Sequence, residues 1–138
     1  MFAFALTLIV VQHAAAAEVA PPALRMAQLE LERESWAIVD REAGQYLGHP
    51  STVLLGDGKT ILCAYPKGHG KGAILLKRSD DGGASWSERL PTPANWATSQ
   101  ETPTLFRVAR PDGGARLLLF SGLHPIRQAH SDDEGRTW

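Results

Sequence analysis

Eight residues occur twice in this chain in one pattern. Residues 79–86 read Ser-Asp-Asp-Gly-Gly-Ala-Ser-Trp and residues 131–138 read Ser-Asp-Asp-Glu-Gly-Arg-Thr-Trp. Both fit Ser-x-Asp-x-Gly-x-(Ser/Thr)-Trp, and they begin 52 residues apart. The pattern predicts a tight turn between strands that opens on Ser79 in one copy and Ser131 in the other. Asp81 and Asp133 can accept hydrogen bonds from nearby backbone N–H groups. Gly83 and Gly135 supply a position where positive φ carries no steric cost. Trp86 and Trp138 drop large apolar rings against neighbouring strands. Two such turns at a fixed spacing announce a structural repeat.

The segments leading into the two turns follow one order. Residues 50–55 are an expected strand, Gly56-Asp57-Gly58 a turn and residues 60–65 a second strand. A glycine-rich loop at 66–72 leads to a third strand at 73–78, and residues 86–90 start a fourth. The second round has strands at 103–108, 116–121 and 126–130, with the turn at 110–114 and a loop at 122–125. Four short antiparallel strands per unit predict an all-β fold of propeller blades. A closed propeller has roughly four to eight blades. The chain holds about two, at residues 46–138, so the expectation is an incomplete domain from the N-terminal part of a longer protein.

The totals exclude some partners. The 138 residues carry a net charge of −1 with 21% charged residues, so no electrostatic footprint for nucleic acid or an anionic membrane is expected. The single cysteine, Cys63, rules out an intrachain disulfide and sits in an apolar run as a small hydrophobe. No phosphate loop, zinc-ligand spacing or nucleophile elbow is present, so neither a cofactor nor a metal is expected.

Residues 1–17, MFAFALTLIVVQHAAAA, read as a secretory signal peptide with an apolar core and a small-residue cleavage site. The apolar run is too short to span a bilayer. A buried N-terminal helix or an internal start codon are the alternatives, because no Lys or Arg precedes Arg25. Residues 18–45 read as a linker around Pro21-Pro22, a short helix at 23–34 and a strand at 35–40 that closes a sheet from elsewhere.

The octapeptides, with His49-Pro50 at the first strand, Lys77-Arg78 ahead of the first copy and Trp86-Ser87 after it, resemble the Asp-box (BNR) repeats of the sialidase superfamily. The resemblance covers residues 46–138. It implies a six-bladed β-propeller with the boxes on its rim. The implied activity is that of a secreted or periplasmic, neuraminidase-like exo-α-sialidase, a glycoside hydrolase acting on glycoconjugates. It further implies three arginines that grip a substrate carboxylate, an aspartate acid/base, and a tyrosine nucleophile assisted by a glutamate. The first arginine belongs in a (Phe/Tyr)-Arg-Ile-Pro motif, and the matching segment here reads Leu47-Gly48-His49-Pro50. The loop that would carry the acid, residues 67–72, holds no carboxylate.

Propeller geometry brings inner-strand starts and the loops of one face to a common centre, which nominates the remaining residues. His49, Lys67, Lys71 and Arg127 are candidate substrate-binding groups for an acidic glycan. Glu101 and His69 are candidate catalytic groups, as acid, base or sugar-hydroxyl acceptor. Against these stand a solvated glycine loop, a capping or salt-bridge role for Glu101 and a rim salt bridge for Arg127. Trp96 is either a sugar platform or a plug between blades. The competing function is a non-catalytic Asp-box propeller that binds glycans or proteins.

Overall fold

The computed structural model describes residues 36–138. The signal peptide, the linker and the helix expected at 1–34 lie outside the described residues, as does the first residue of the strand expected at 35–40. Six strands form two antiparallel three-stranded sheets. β1 (Ser51–Leu54), β2 (Ile61–Pro66) and β3 (Ile74–Ser79) make the first sheet. β4 (Thr104–Ala109), β5 (Ala115–Ser121) and β6 (Arg127–Ser131) make the second. A short 3-10 helix, Ala94–Thr98, joins them. The all-β expectation holds, and the strands fall within a residue or two of the expected ranges.

Two expected strands do not form. Residues 36–40 run irregularly, with Trp36 and Ile38 exposed. Asp40 anchors the segment to Tyr65 and Arg89, and it pairs with no strand. Residues 87–90 follow β3 as an expected fourth strand would, and the Ser87 and Leu90 N–H groups donate to the Arg78 and Leu76 carbonyls, both at 2.8 Å. The Arg78 N–H goes to the Ser87 hydroxyl instead, at 3.0 Å. A side chain thus takes the place of a ladder acceptor and the strand pairing is lost.

The two octapeptides share their Ser/Asp bonding and differ at the tryptophan, where the Trp86 indole N–H donates to the Gly83 carbonyl at 3.1 Å and the buried Trp138 indole N–H has no partner among the described residues. Ser79 Oγ donates to Asp81 Oδ1 at 2.8 Å and accepts the Gly83 N–H at 2.8 Å. Asp81 then accepts the Ser85 N–H at 2.9 Å and the Ser85 hydroxyl at 2.5 Å. In the second copy Ser131 Oγ donates to Asp133 at 2.7 Å and accepts the Gly135 N–H at 2.8 Å, and Thr137 gives Asp133 the same two bonds at 2.9 and 2.5 Å. These donors favour the charged carboxylate. Asp81 is drawn down to about 2, first by the Ser85 hydroxyl, and Asp133 is lowered in the same way by Thr137. Gly83 and Gly135 take φ of 94° and 84°. The copies part at one backbone position, where Gly82 (φ 74°) is matched by Glu134 (φ 58°).

The sheets pack face to face around one core. Leu62, Ala64, Ile74 and Leu76 of the first sheet meet Leu105, Leu117 and Leu119 of the second, with Trp96 buried among them and Val53 and Trp138 flanking. Trp96 and Trp138 stack with centroids 5.4 Å apart, so Trp96 is a plug between sheets. Gly135 sits directly on Leu62, with no space for a Cβ. A Cβ on Gly83 would meet nothing closer than Ile61, at 3.7 Å.

Register makes the relation between the sheets directional. Ile61 pairs with Ser79, and Leu117 pairs with Ser131, so Leu62 and Ala64 correspond to Leu118 and Phe120, and Val53 to Phe106. The first set is covered by the second sheet. The second set lies on that sheet's other face, where Phe106 is 48% exposed and meets Phe120 edge to face with centroids 6.0 Å apart. On the first sheet's opposite face Val39, Asp40, Leu47 and Pro50 gather around Cys63 and Tyr65, while Leu54 is 53% exposed.

Candidate functional site

Strand direction sorts the nominated residues. β1, β3, β4 and β6 all run toward the octapeptide turns, so the starts of these strands and the loops after β2 and β5 share the opposite end. Three bonds tie that end together. The Gly72 N–H donates to the Ser99 carbonyl at 2.9 Å, the Leu105 N–H to Ser51 Oγ at 2.9 Å, and Arg127 Nη1 to the Asn95 carbonyl at 2.9 Å. His49, Lys67, His69, Lys71, Glu101 and Arg127 therefore gather at one end of the molecule. Ser79, Asp81, Gly83, Trp86, Ser131, Asp133 and Gly135 lie at the other, and the Trp138 ring reaches from there to Trp96.

Within that end the six do not form one site. Lys67, His69 and Lys71 line an open recess of about 440 Å³, walled on its other side by Thr98, Ser99 and Gln100. His49 Nε2 and His69 Nδ1 are 3.5 Å apart, and Tyr46 packs against His69 with centroids 5.4 Å apart. Lys67 is ion-paired with Glu42 at 2.8 Å, and Lys71 is exposed. The Glu101 side chain is exposed and does not line the recess; its backbone carbonyl accepts from Ser99 Oγ at 3.0 Å. Arg127 lines a different cavity of about 350 Å³ with Trp96, His130 and Trp138, and clasps the 3-10 helix through Asn95 and Thr98. It makes no rim salt bridge among the described residues.

A charged network that the motifs did not flag covers the first sheet's outer face. Asp40 Oδ2 accepts the Tyr65 hydroxyl at 2.5 Å and Arg89 Nε at 2.7 Å, and Lys77 Nζ lies 3.9 Å from Oδ1. Arg89 also bonds Glu42 at 2.8 Å, and Glu42 in turn holds Lys67. Burial raises the Asp40 carboxyl, but the hydrogen bonds from Arg89, Tyr65 and the Arg41 N–H outweigh it and leave the group below its ordinary value. Burial, then Asp40, pushes the Tyr65 phenol well up. Burial also lifts the Cys63 thiol to about 11. Val39, Asp40, Leu47, Gly48, Pro50, Cys63 and Tyr65 enclose a small recess of about 110 Å³ beneath this network. The pairing of Asp40 and Glu42 with Arg89 spans nearly fifty residues of sequence, and no local pattern announces it.

Among the described residues no helix is long and apolar enough to cross a membrane. Gly48 fills the place of the first arginine that the resemblance implies, and the Tyr46 ring lies over it so closely that a Cβ there would strike the ring. Compared with models of known protein families, with curated proteins and with solved structures, the chain has no significant match.

Proposed function

We propose that the chain supplies two repeats of a sialidase-like β-propeller that handles acidic glycans outside the cell, as an exo-glycoside hydrolase. The observation that carries this reading is the directional stacking of two sheets whose octapeptide turns share one Ser/Asp bonding pattern. The face of the first sheet that is covered has its repeat-equivalent open on the second, so a third sheet would dock as the second does, and continued stacking closes a ring. The gathering of imidazole, lysine and carboxylate groups at the end away from the turns supports a glycan site there. In this reading Lys71 and His49 meet the anionic sugar, His69 exchanges protons, Glu101, one residue on from the lining Gln100, serves from outside the recess, and Arg127 fixes the lining loop.

A non-catalytic glycan-binding propeller is the second reading. The recess in hand contains no carboxylate, whereas glycoside hydrolysis uses a pair of acidic groups or a tyrosine with its glutamate. A panel of sialosides and other acidic glycosides separates the two. Sugar release that falls in His69→Ala and Glu101→Gln supports the hydrolase. Saturable glycan binding without release moves the assignment to the binding module, and neither activity removes both.

A further inference from the structure

Two imidazoles meet at the open end in the geometry of a ligand pair. His49 Nε2 and His69 Nδ1 lie 3.5 Å apart, longer than the roughly 2.9–3.0 Å of a well-made hydrogen bond from a ring N–H. The rings cross at 81° with centroids 4.7 Å apart, edge to face. Two nitrogens on one tetrahedral zinc ion, each at about 2.0–2.1 Å, stand about 3.3–3.4 Å from one another. We propose that His49 and His69 form an open site for a divalent transition metal of the Zn²⁺ class, binding through these two nitrogens.

The surroundings fit such a site. The donors come from separate segments, one in front of β1 and one in the loop between β2 and β3, so the fold and not local sequence sets their distance. His49 is held at φ 52°, a left-handed backbone conformation, immediately before Pro50. His69 stands between Gly68 and Gly70, and a short bridge from Gly72 to Ser99 ties its loop down. Glu42 neutralises Lys67, which leaves Lys71 as the unpaired lysine of this loop among the described residues. Tyr46 screens one side, with centroids 6.3 Å from His49 and 5.4 Å from His69. No group of three or more His, Cys, Asp or Glu stands together among the described residues. The site therefore offers two protein donors, and its other positions are for water or a ligand oxygen, as in open rather than closed zinc sites. This assignment does not depend on the glycan reading.

Titration calorimetry with zinc chloride in a non-chelating buffer, paired with the visible absorption of bound Co²⁺, tests it. The expected result is one saturable equivalent with a nitrogen-ligand Co²⁺ spectrum and no competition from Ca²⁺ or Mg²⁺. His49→Asn keeps a residue that tolerates the left-handed backbone while removing the imidazole. His49→Asn and His69→Gln are each expected to weaken binding about tenfold or more, with thermal melts confirming that both variants fold. His124→Gln and His130→Gln should bind as the parent does. The proposal is overturned by wild-type affinity in either His49→Asn or His69→Gln, by loss confined to the control variants, by Ca²⁺ competition, or by the absence of saturable binding.

Discussion

Replacing Ser131 by alanine tests whether the octapeptide turn is held by its buried serine or merely decorated by it. Ser131 is almost fully buried, and its hydroxyl both donates to Asp133 and accepts the Gly135 N–H at 2.8 Å. The alanine variant leaves that N–H buried beneath Leu62 with no acceptor, which by itself costs about 1–3 kcal/mol. Adding the loss of the hydroxyl's own bond, Ser131→Ala is expected to destabilise by about 2–3 kcal/mol. Ser79→Ala removes the same bonds, but the Gly83 N–H is only partly buried and water can replace the lost acceptor, so about 1–2 kcal/mol is expected. Urea unfolding at neutral pH reads the difference. With a slope of about 1–3 kcal/mol/M, the Ser131 variant should lose roughly 1 M in midpoint at unchanged slope. The turns belong to different sheets and share no bond, so the double variant should be additive within about 0.5 kcal/mol. A Ser131→Ala loss below about 0.5 kcal/mol, or one smaller than that of Ser79→Ala, would refute the reasoning.

Four further outcomes rest on the same structure. Glu134→Gly should stabilise by a few tenths to about 1 kcal/mol, because Glu134 occupies the left-handed position that Gly82 fills in the first copy, and Gly82→Ala should cost about 1 kcal/mol; thermal melts check both. Asp40→Asn leaves the nearly buried Lys77 without its anion and Arg89 with Glu42 alone, and should cost about 2–4 kcal/mol, read by urea unfolding. Stability should fall as pH is lowered from about 4 toward 2. Asp57 and Asp81 are held at about 2, and Asp133, Asp40 and Asp132 are also lowered, so the unfolded chain takes up protons first and acid favours it. A melting temperature at pH 3 equal to that at pH 6 would contradict this. Cys63, 1% exposed and raised to about 11, should react with a thiol reagent at pH 8 only in denaturant, whereas rapid reaction in the native protein would show that its strand opens.

What was legible in the sequence was what local chemistry decides. The paired turns at Ser79 and Ser131 could be read because their hydrogen bonds close within five residues, and the strands could be read because glycine and aspartate turns bound their apolar runs. The end of the molecule to which His49, His69 and Glu101 belong also followed from strand direction alone. The recess did not. Glu101 and His69 lie on loops whose approach depends on the Gly72–Ser99 bridge, and Arg127 is claimed by carbonyls of the 3-10 helix, contacts that no periodicity encodes. The strand expected at 35–40 failed for a related reason. A run of strand-forming residues signals a ladder, yet Asp40 finds its partners in Tyr65, Lys77 and Arg89 on a sheet face, so the segment is fixed by charge and not by a ladder.

The seat of Gly135 on Leu62 gives assembly a direction in time. The second turn closes only against a residue that emerges from the ribosome about seventy positions earlier. The first sheet can therefore be in place before the second turn leaves the ribosome, and the second sheet sets its register against it. The first turn has no such dependence: a Cβ on Gly83 would meet only Ile61 and Trp86 of its own sheet and turn, at 3.7 and 3.9 Å, so it can close before any residue of the second sheet is made.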